Sequence, residues 1–206
     1  MSKREFDVIV FGASGYTGKL VAEYMGKEYG NDESISWAIA GRNKDKLSSV
    51  KKDLNLNERV SIIEVDSTNK DSLDSMTSSA KCILTTVGPY QLYGSSLVQS
   101  CSVNGTDYVD LTGEPGWMYE MINAHQDTAK KSGARIVFSC GFDSIPFDLG
   151  VYFVQQAAQE KYGKPSKHVR GRVKAMNGEF SGGTIASLGA TMATLKEKPE
   201  LIQVLS

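Results

Sequence analysis

Short apolar runs recur along this chain, and between them apolar residues fall at every third or fourth position. Runs bounded by glycine or polar clusters read as buried strands, and the three-to-four spacing reads as helices with one inward face. The runs predict strands over residues 8–11, 36–40, 60–65, 82–87, 108–111 and 135–139. The stretches between predict helices over about 17–29, then one with Leu47 and Val50 inward, then about 70–78, 95–104, 119–132 and 145–160. The first helix is expected to turn Leu20, Val21, Tyr24 and Met25 to the core and to stop at Gly30-Asn31-Asp32. The last is entered through Pro146, which suits a first turn.

Strands that alternate with helices in this way predict an α/β protein, a Rossmann-type doubly wound parallel sheet with helices on both faces. Ligands of such sheets lie beyond the carboxyl ends of the strands. Here those ends carry Gly41-Arg42, Asp66, Gly88-Pro89-Tyr90, Thr112-Gly113-Glu114 and Cys140-Gly141-Phe142-Asp143. Past Gly163-Lys164-Pro165 the pattern changes. Val169, Gly171, Val173 and Ala175 alternate with Arg170, Arg172 and Lys174, which predicts a strand with one wet face. Ser181-Gly182-Gly183-Thr184 then caps an apolar helix over 185–195, and Pro199 and a short segment follow. The expected organisation is a dinucleotide-binding Rossmann domain over 1–164 and the start of a second, substrate-binding α+β domain over 165–206. A lone strand and helix cannot form a core of their own, so a truncated second domain is expected.

The first strand runs straight into Gly12-Ala13-Ser14-Gly15-Tyr16-Thr17-Gly18, three glycines at G-x-x-G-x-x-G spacing followed at once by a helix. Gly12 would allow the sharp turn, Gly15 would let a pyrophosphate approach the backbone, and Gly18 would let the helix pack close to the strand. Ser14, Tyr16 and Thr17 complete the turn, and the helix N-terminus presents free N–H groups to phosphate. The strand before and the helix after are the context that makes this pattern a dinucleotide site. Arg42 ends the second strand, where NAD-binding proteins usually carry an acid, and no carboxylate stands at Gly41, Arg42 or Asn43. A guanidinium suits a 2′-phosphate, so NADP is expected in preference to NAD. Asp66 is placed either to meet the adenine edge or to cap the helix that follows, and Val87, Gly88 and Pro89 to lie along the pyrophosphate and nicotinamide ribose.

Composition narrows the class. The chain has 206 residues, 40% hydrophobic, with a net charge of -1, which gives no basic surplus for nucleic acid or an anionic membrane. No apolar run is long enough to span a bilayer, and residues 1–7 lack the apolar region of a signal peptide. Cys82, Cys101 and Cys140 form no C-x-x-C pair and read as reduced thiols, so a cytoplasmic location is expected. His125 and His168 lie in no metal-ligand pattern, and no metal is expected.

Candidate acids are fewer. No Tyr-x-x-x-Lys pair is present, since Tyr16 is followed by Leu20 and Tyr90 by Gly94. Hydride transfer needs orientation and a proton source, and Tyr90 or Glu114 is the candidate donor. Glu114 has a plainer reading as a cap for the helix that follows, and Asp143 and Ser144 as caps for the helix after them.

Taken together, residues 12–18, Ala40-Gly41-Arg42, Val87-Gly88-Pro89-Tyr90, residues 107–114, residues 140–148 and Ser181-Gly182-Gly183-Thr184 resemble the saccharopine dehydrogenase-like oxidoreductase family, which includes trans-acting enoyl reductases of lipid biosynthesis. The resemblance implies a Rossmann domain followed by a mixed α+β domain that continues well past residue 206. The expected function is therefore NADP-dependent hydride transfer to a carbonyl, imine or enoyl substrate, a small molecule or an acyl-type, lipid-related one, in a protein free to form a homo-oligomer. The alternative is an NADP(H)-binding regulatory module without chemistry, and a third reading is a reductase of lysine metabolism acting on α-aminoadipate semialdehyde.

Overall fold

The computed structural model describes residues 4–178, 181–198 and 201. Six strands, β1 (Phe6–Phe11), β2 (Trp37–Gly41), β3 (Ser61–Glu64), β4 (Ala80–Thr85), β5 (Asp107–Val109) and β6 (Ile136–Val137), form one sheet in the order β3-β2-β1-β4-β5-β6. Every pairing is parallel. The order runs outward to β3 from β1, then reverses through β4, so the switch point lies between β1 and β4. This is the Rossmann-type doubly wound arrangement, with its crevice at that reversal.

Alternation along the central strands builds two cores. Ile9 and Phe11 of β1 and Ala38 and Ala40 of β2 face the cluster covered by α3 (Lys70–Ser79), α5 (Ser95–Asn104) and α6 (Pro115–Ser132). Val10, Trp37 and Ile39 face the opposite cluster, under α1 (Tyr16–Tyr29) and α2 (Lys44–Asp53). Gly18, Ala22 and Met25 form the buried face of α1. Leu20 and Tyr24, expected inward, are more than half exposed, because the close approach at Gly18 sets the helix rotation.

The remaining differences follow from contacts distant in sequence. A four-residue helix, α4 (Tyr90–Tyr93), follows β4, and α6 begins at Pro115 rather than near residue 119. The chain then forms α7 (Ile145–Tyr162) and α8 (Gly182–Glu197), the latter capped by Ser181 Oγ, which accepts the N–H of Thr184 at 3.2 Å. Residues 168–178 have no regular secondary structure, so the alternation at 169–175 does not make a strand. The stretch from Ser166 to Gly171 lies along α7: Ser166 N–H donates to Gln155 Oε1 at 2.7 Å, and Gly171 sits against the Phe147 ring. Among the described residues it pairs with no strand, and an unpaired extended segment is not a strand. The closing segment around Pro199 falls outside the described residues. Among the described residues, no helix is long and apolar enough to cross a membrane.

Candidate dinucleotide cleft

The end of β1 turns at Gly12, whose φ of +93° suits glycine. Gly12 N–H donates to Ala40 O of β2 at 2.8 Å, and Thr86 N–H donates to Phe11 O at 2.9 Å, so the turn is held between β2 and the end of β4. A Cβ at Gly12 would sit 2.8 Å from both Thr86 Oγ1 and Val87 Cγ2. A Cβ at Gly18 would sit 2.1 Å from Gly12 O, so α1 lies against its own strand. Gly15 differs from both. A Cβ there would meet only Gly12 O, at 3.3 Å, and otherwise open space. Gly15 is also the cap residue of α1 and supplies no side-chain cap, so the N–H groups of the first turn have no intrahelical acceptor.

A cavity of about 270 Å³ opens over these elements, lined by Gly12, Ser14 and Gly15, by Gly41 and Arg42, by Val65, Ser67 and Thr68, and by Thr86, Val87, Gly88 and Tyr93. It spans the carboxyl ends of β1 to β4, across the switch point. Arg42 is exposed and has no hydrogen-bond partner among the described residues. Asn43 beside it caps α2, its Oδ1 accepting Lys46 N–H at 2.8 Å.

The expected site residues divide between the cavity wall and its surroundings. Gly12, Ser14, Gly15, Arg42, Val87 and Gly88 are brought together on the wall. Tyr16, Thr17 and Gly18 form the first turn of α1 behind it, with the Tyr16 ring turned to solvent. Pro89 is buried just beyond Gly88. Asp66 Oδ1 accepts the N–H and the hydroxyl of Thr68 at 2.9 and 2.8 Å. Those bonds, with the Arg42 charge adding to them, hold its carboxyl below the ordinary 3.8. Ser67, Thr68, Thr86 and Tyr93 line the cavity without having been singled out in sequence. The first two carry a readable signal, since they follow Asp66 at the end of a strand.

Tyr90 and Glu114 sit together but in the interior. Tyr90 is 5% exposed; its hydroxyl donates to Thr85 O at 3.3 Å and accepts from Leu111 N–H at 3.4 Å, and burial raises its pKa. Its ring packs 5.7 Å from that of Trp117. Glu114 is 3% exposed, and its two carboxylate oxygens accept the N–H groups of Tyr90 and Gln91 at 3.0 and 2.8 Å. Glu114 thus caps α4, from a distant segment, rather than α6, which it precedes.

These features fit NADP. Gly15 leaves room where a pyrophosphate would approach, the first turn of α1 offers free donors to phosphate, and an unpaired guanidinium stands at the end of β2. Comparison with known proteins agrees. The family model for the saccharopine dehydrogenase NADP-binding domain matches residues 8–137. A putative trans-acting enoyl reductase of Mycobacterium tuberculosis is 41% identical over 204 residues, which cover 98% of this chain and 48% of that protein. A lipid droplet localized protein of Caenorhabditis elegans is 35% identical over 192 residues, 89% of this chain and 44% of that protein. Apo saccharopine dehydrogenase (L-Glu forming) of Saccharomyces cerevisiae shares the fold, with a TM-score of 0.59 at 19% identity over 75% of this chain and 32% of that one. The chain spans about half the length of the curated relatives it matches. On the strand order, the glycine turn and the match over residues 8–137, the chain belongs to the saccharopine dehydrogenase NADP-binding domain family, whose cofactor is NADP.

Proposed function

We propose that this chain is the NADP(H)-binding part of a reductase that transfers hydride to an activated double bond or carbonyl of an acyl-type substrate. The observation that carries this reading is the pairing of a glycine turn open at Gly15 with an exposed, unpaired Arg42 and no acid at the end of β2. The names of the relatives support the acyl-type substrate, and one, a lipid droplet localized protein, supports a lipid-related substrate. Bound NADPH would supply the hydride. The chain's own residues bind and orient: the first turn of α1 and Gly15 receive the pyrophosphate, Arg42 receives the 2′-phosphate, and Val87 and Gly88 line the remaining wall.

The regulatory alternative, NADP(H) binding without chemistry, is favoured by a specific observation. Both candidate proton donors, Tyr90 and Glu114, are buried and spent on backbone partners. Two measurements test these readings, the first the cofactor site they share and the second the chemistry that separates them. Dissociation constants for NADPH and NADH at one ionic strength should differ by about ten- to a hundred-and-fifty-fold in favour of NADPH, the worth of one charge-assisted hydrogen bond. Loss of NADPH absorbance with an enoyl thioester then supports the reductase; tight NADPH binding with no turnover of enoyl thioester or α-aminoadipate semialdehyde supports the regulatory module.

A further inference from the structure

The segment that follows β5, residues 110–114, carries three buried polar side chains at alternate positions, Asp110, Thr112 and Glu114. Its first half is tied to the end of β6. Asp110 Oδ1 accepts Thr112 N–H at 3.0 Å and Ser139 N–H at 2.8 Å, Asp110 Oδ2 accepts the Tyr108 hydroxyl at 2.7 Å, and the Ser139 hydroxyl donates to Thr112 O at 2.7 Å. Its second half is tied to α4, which follows β4. Glu114 N–H donates to Thr112 Oγ1 at 3.2 Å, and the Glu114 carboxylate takes the N–H groups of Tyr90 and Gln91. No ion pair engages Glu114 among the described residues. A buried carboxylate with only backbone donors is costly unless both oxygens are satisfied at once, so it holds one geometry closely.

The two N–H groups it holds lie behind the cavity wall, between residues of the chain that line it. Thr86, Val87 and Gly88 line the cavity before them and Tyr93 lines it after them. The Gln91 side chain reaches the other way, its Oε1 accepting from Thr194 Oγ1 at 2.5 Å on α8. The opposite wall, Arg42, Ser67 and Thr68 at the ends of β2 and β3, shares no bond with Glu114.

We infer that Glu114 is a positioning residue, whose carboxylate sets the β4 wall of the cleft for the half of the dinucleotide away from Arg42. This rests on the reading of the cleft as an NADP(H) site. It predicts a one-sided effect that loss of general stability would not produce. The adenosine half alone, 2′,5′-ADP, addresses the Arg42 side, whereas NADPH addresses both walls.

The test measures dissociation constants of the 206-residue chain for NADPH and for 2′,5′-ADP by titration calorimetry, with a thermal melt of each unliganded variant. Glu114→Gln keeps one accepting oxygen and orphans one N–H. It should weaken NADPH about tenfold and leave 2′,5′-ADP within about twofold. Glu114→Asp, too short to span both N–H groups, should do the same and carries the comparison if the Gln variant fails to fold. Asp110→Asn is the reference, since it perturbs the β6 side of the same segment. It should lower the melting temperature while the ratio of the two constants holds. Equal weakening of both ligands by Glu114→Gln, or no change in NADPH, overturns the positioning role. Failure of 2′,5′-ADP to bind the unaltered chain overturns instead the cofactor reading beneath it.

Discussion

Gly15 and Gly18 stand three positions apart, and the space around them differs: Gly18 is packed against backbone and Gly15 faces mostly open space. At Gly18 even a methyl group would overlap the Gly12 carbonyl at 2.1 Å, a contact with backbone that cannot swing aside. Gly18→Ala should therefore destabilise the fold, by about 1 to 3 kcal/mol as for overpacked sites, and lower the melting temperature with or without ligand. At Gly15 a Cβ would meet only the Gly12 carbonyl, at 3.3 Å, and otherwise open space, so Gly15→Val should cost less stability than Gly18→Ala and lose NADPH binding. A Gly15→Val chain that binds NADPH normally by fluorescence titration would move the site elsewhere. Arg42 makes the complementary case. It is exposed and makes no hydrogen bond among the described residues, so its replacement should leave stability within about 0.5 kcal/mol. Arg42→Ala should abolish the preference for NADPH over NADH, and Arg42→Asp should reverse it, because an acid repels the 2′-phosphate and accepts ribose hydroxyls. The measurement is the pair of dissociation constants for each variant; an unchanged preference in Arg42→Ala would relieve Arg42 of the role.

The elements around the cleft begin and end where local chemistry dictates. Asn43 Oδ1 accepts Lys46 N–H at 2.8 Å and Asn69 Oδ1 accepts Ser72 N–H at 3.0 Å, so α2 and α3 each start on a side-chain cap directly after a strand-end residue of the cleft. Replacing either by alanine should cost about 1 kcal/mol, read as a lower urea midpoint with an unchanged slope; a cost near zero would mean water replaces the cap. These starts were legible, since asparagine before an amphipathic run is a helix signal. α4 was not. Four residues show no helical period, and its anchor, Glu114, is 24 positions from Tyr90. For the same reason Glu114, read locally, belongs to the helix after it, and its carboxylate turns out to serve another.

At the scale of the molecule, the amino ends of the strands carry two cross-strand ion pairs and the carboxyl ends the cleft. Asp7 pairs with Lys81, and Asp107 with Arg135. The Lys81 hydrogen bond holds Asp7 below the ordinary 3.8. Burial pushes Asp107 upward, and the bonds from the Arg135 guanidinium and backbone N–H outweigh it, so it also titrates below 3.8. A depressed carboxylate adds stability above its unfolded pKa and loses it as pH falls through the folded one. Asp107→Asn should thus lower the melting temperature at pH 7, and the gap to the unaltered chain should narrow as pH falls below the ordinary 3.8 and through the lower folded value. The exposure of Arg135 keeps the gap small. A gap that does not narrow as pH falls below 3.8 would assign the effect to packing rather than charge.

Periodicity and glycine spacing were enough to determine the parallel sheet and the glycine turn at the end of its first strand, and the residue at the end of the second strand to frame the expectation of NADP, because each depends on residues within a few positions of one another. The tertiary structure alone decided which candidates face the cleft. Tyr90 and Glu114 lie at strand ends and read as proton donors, but closure of the sheet buries both against backbone donors and acceptors of neighbouring segments. It decided the opposite for Thr86 and Tyr93, which the same closure turns to the cavity. It also decided that the alternation at residues 169–175 makes no strand, since a strand exists only where another edge supplies its hydrogen bonds, and that edge is not written in the alternating residues themselves.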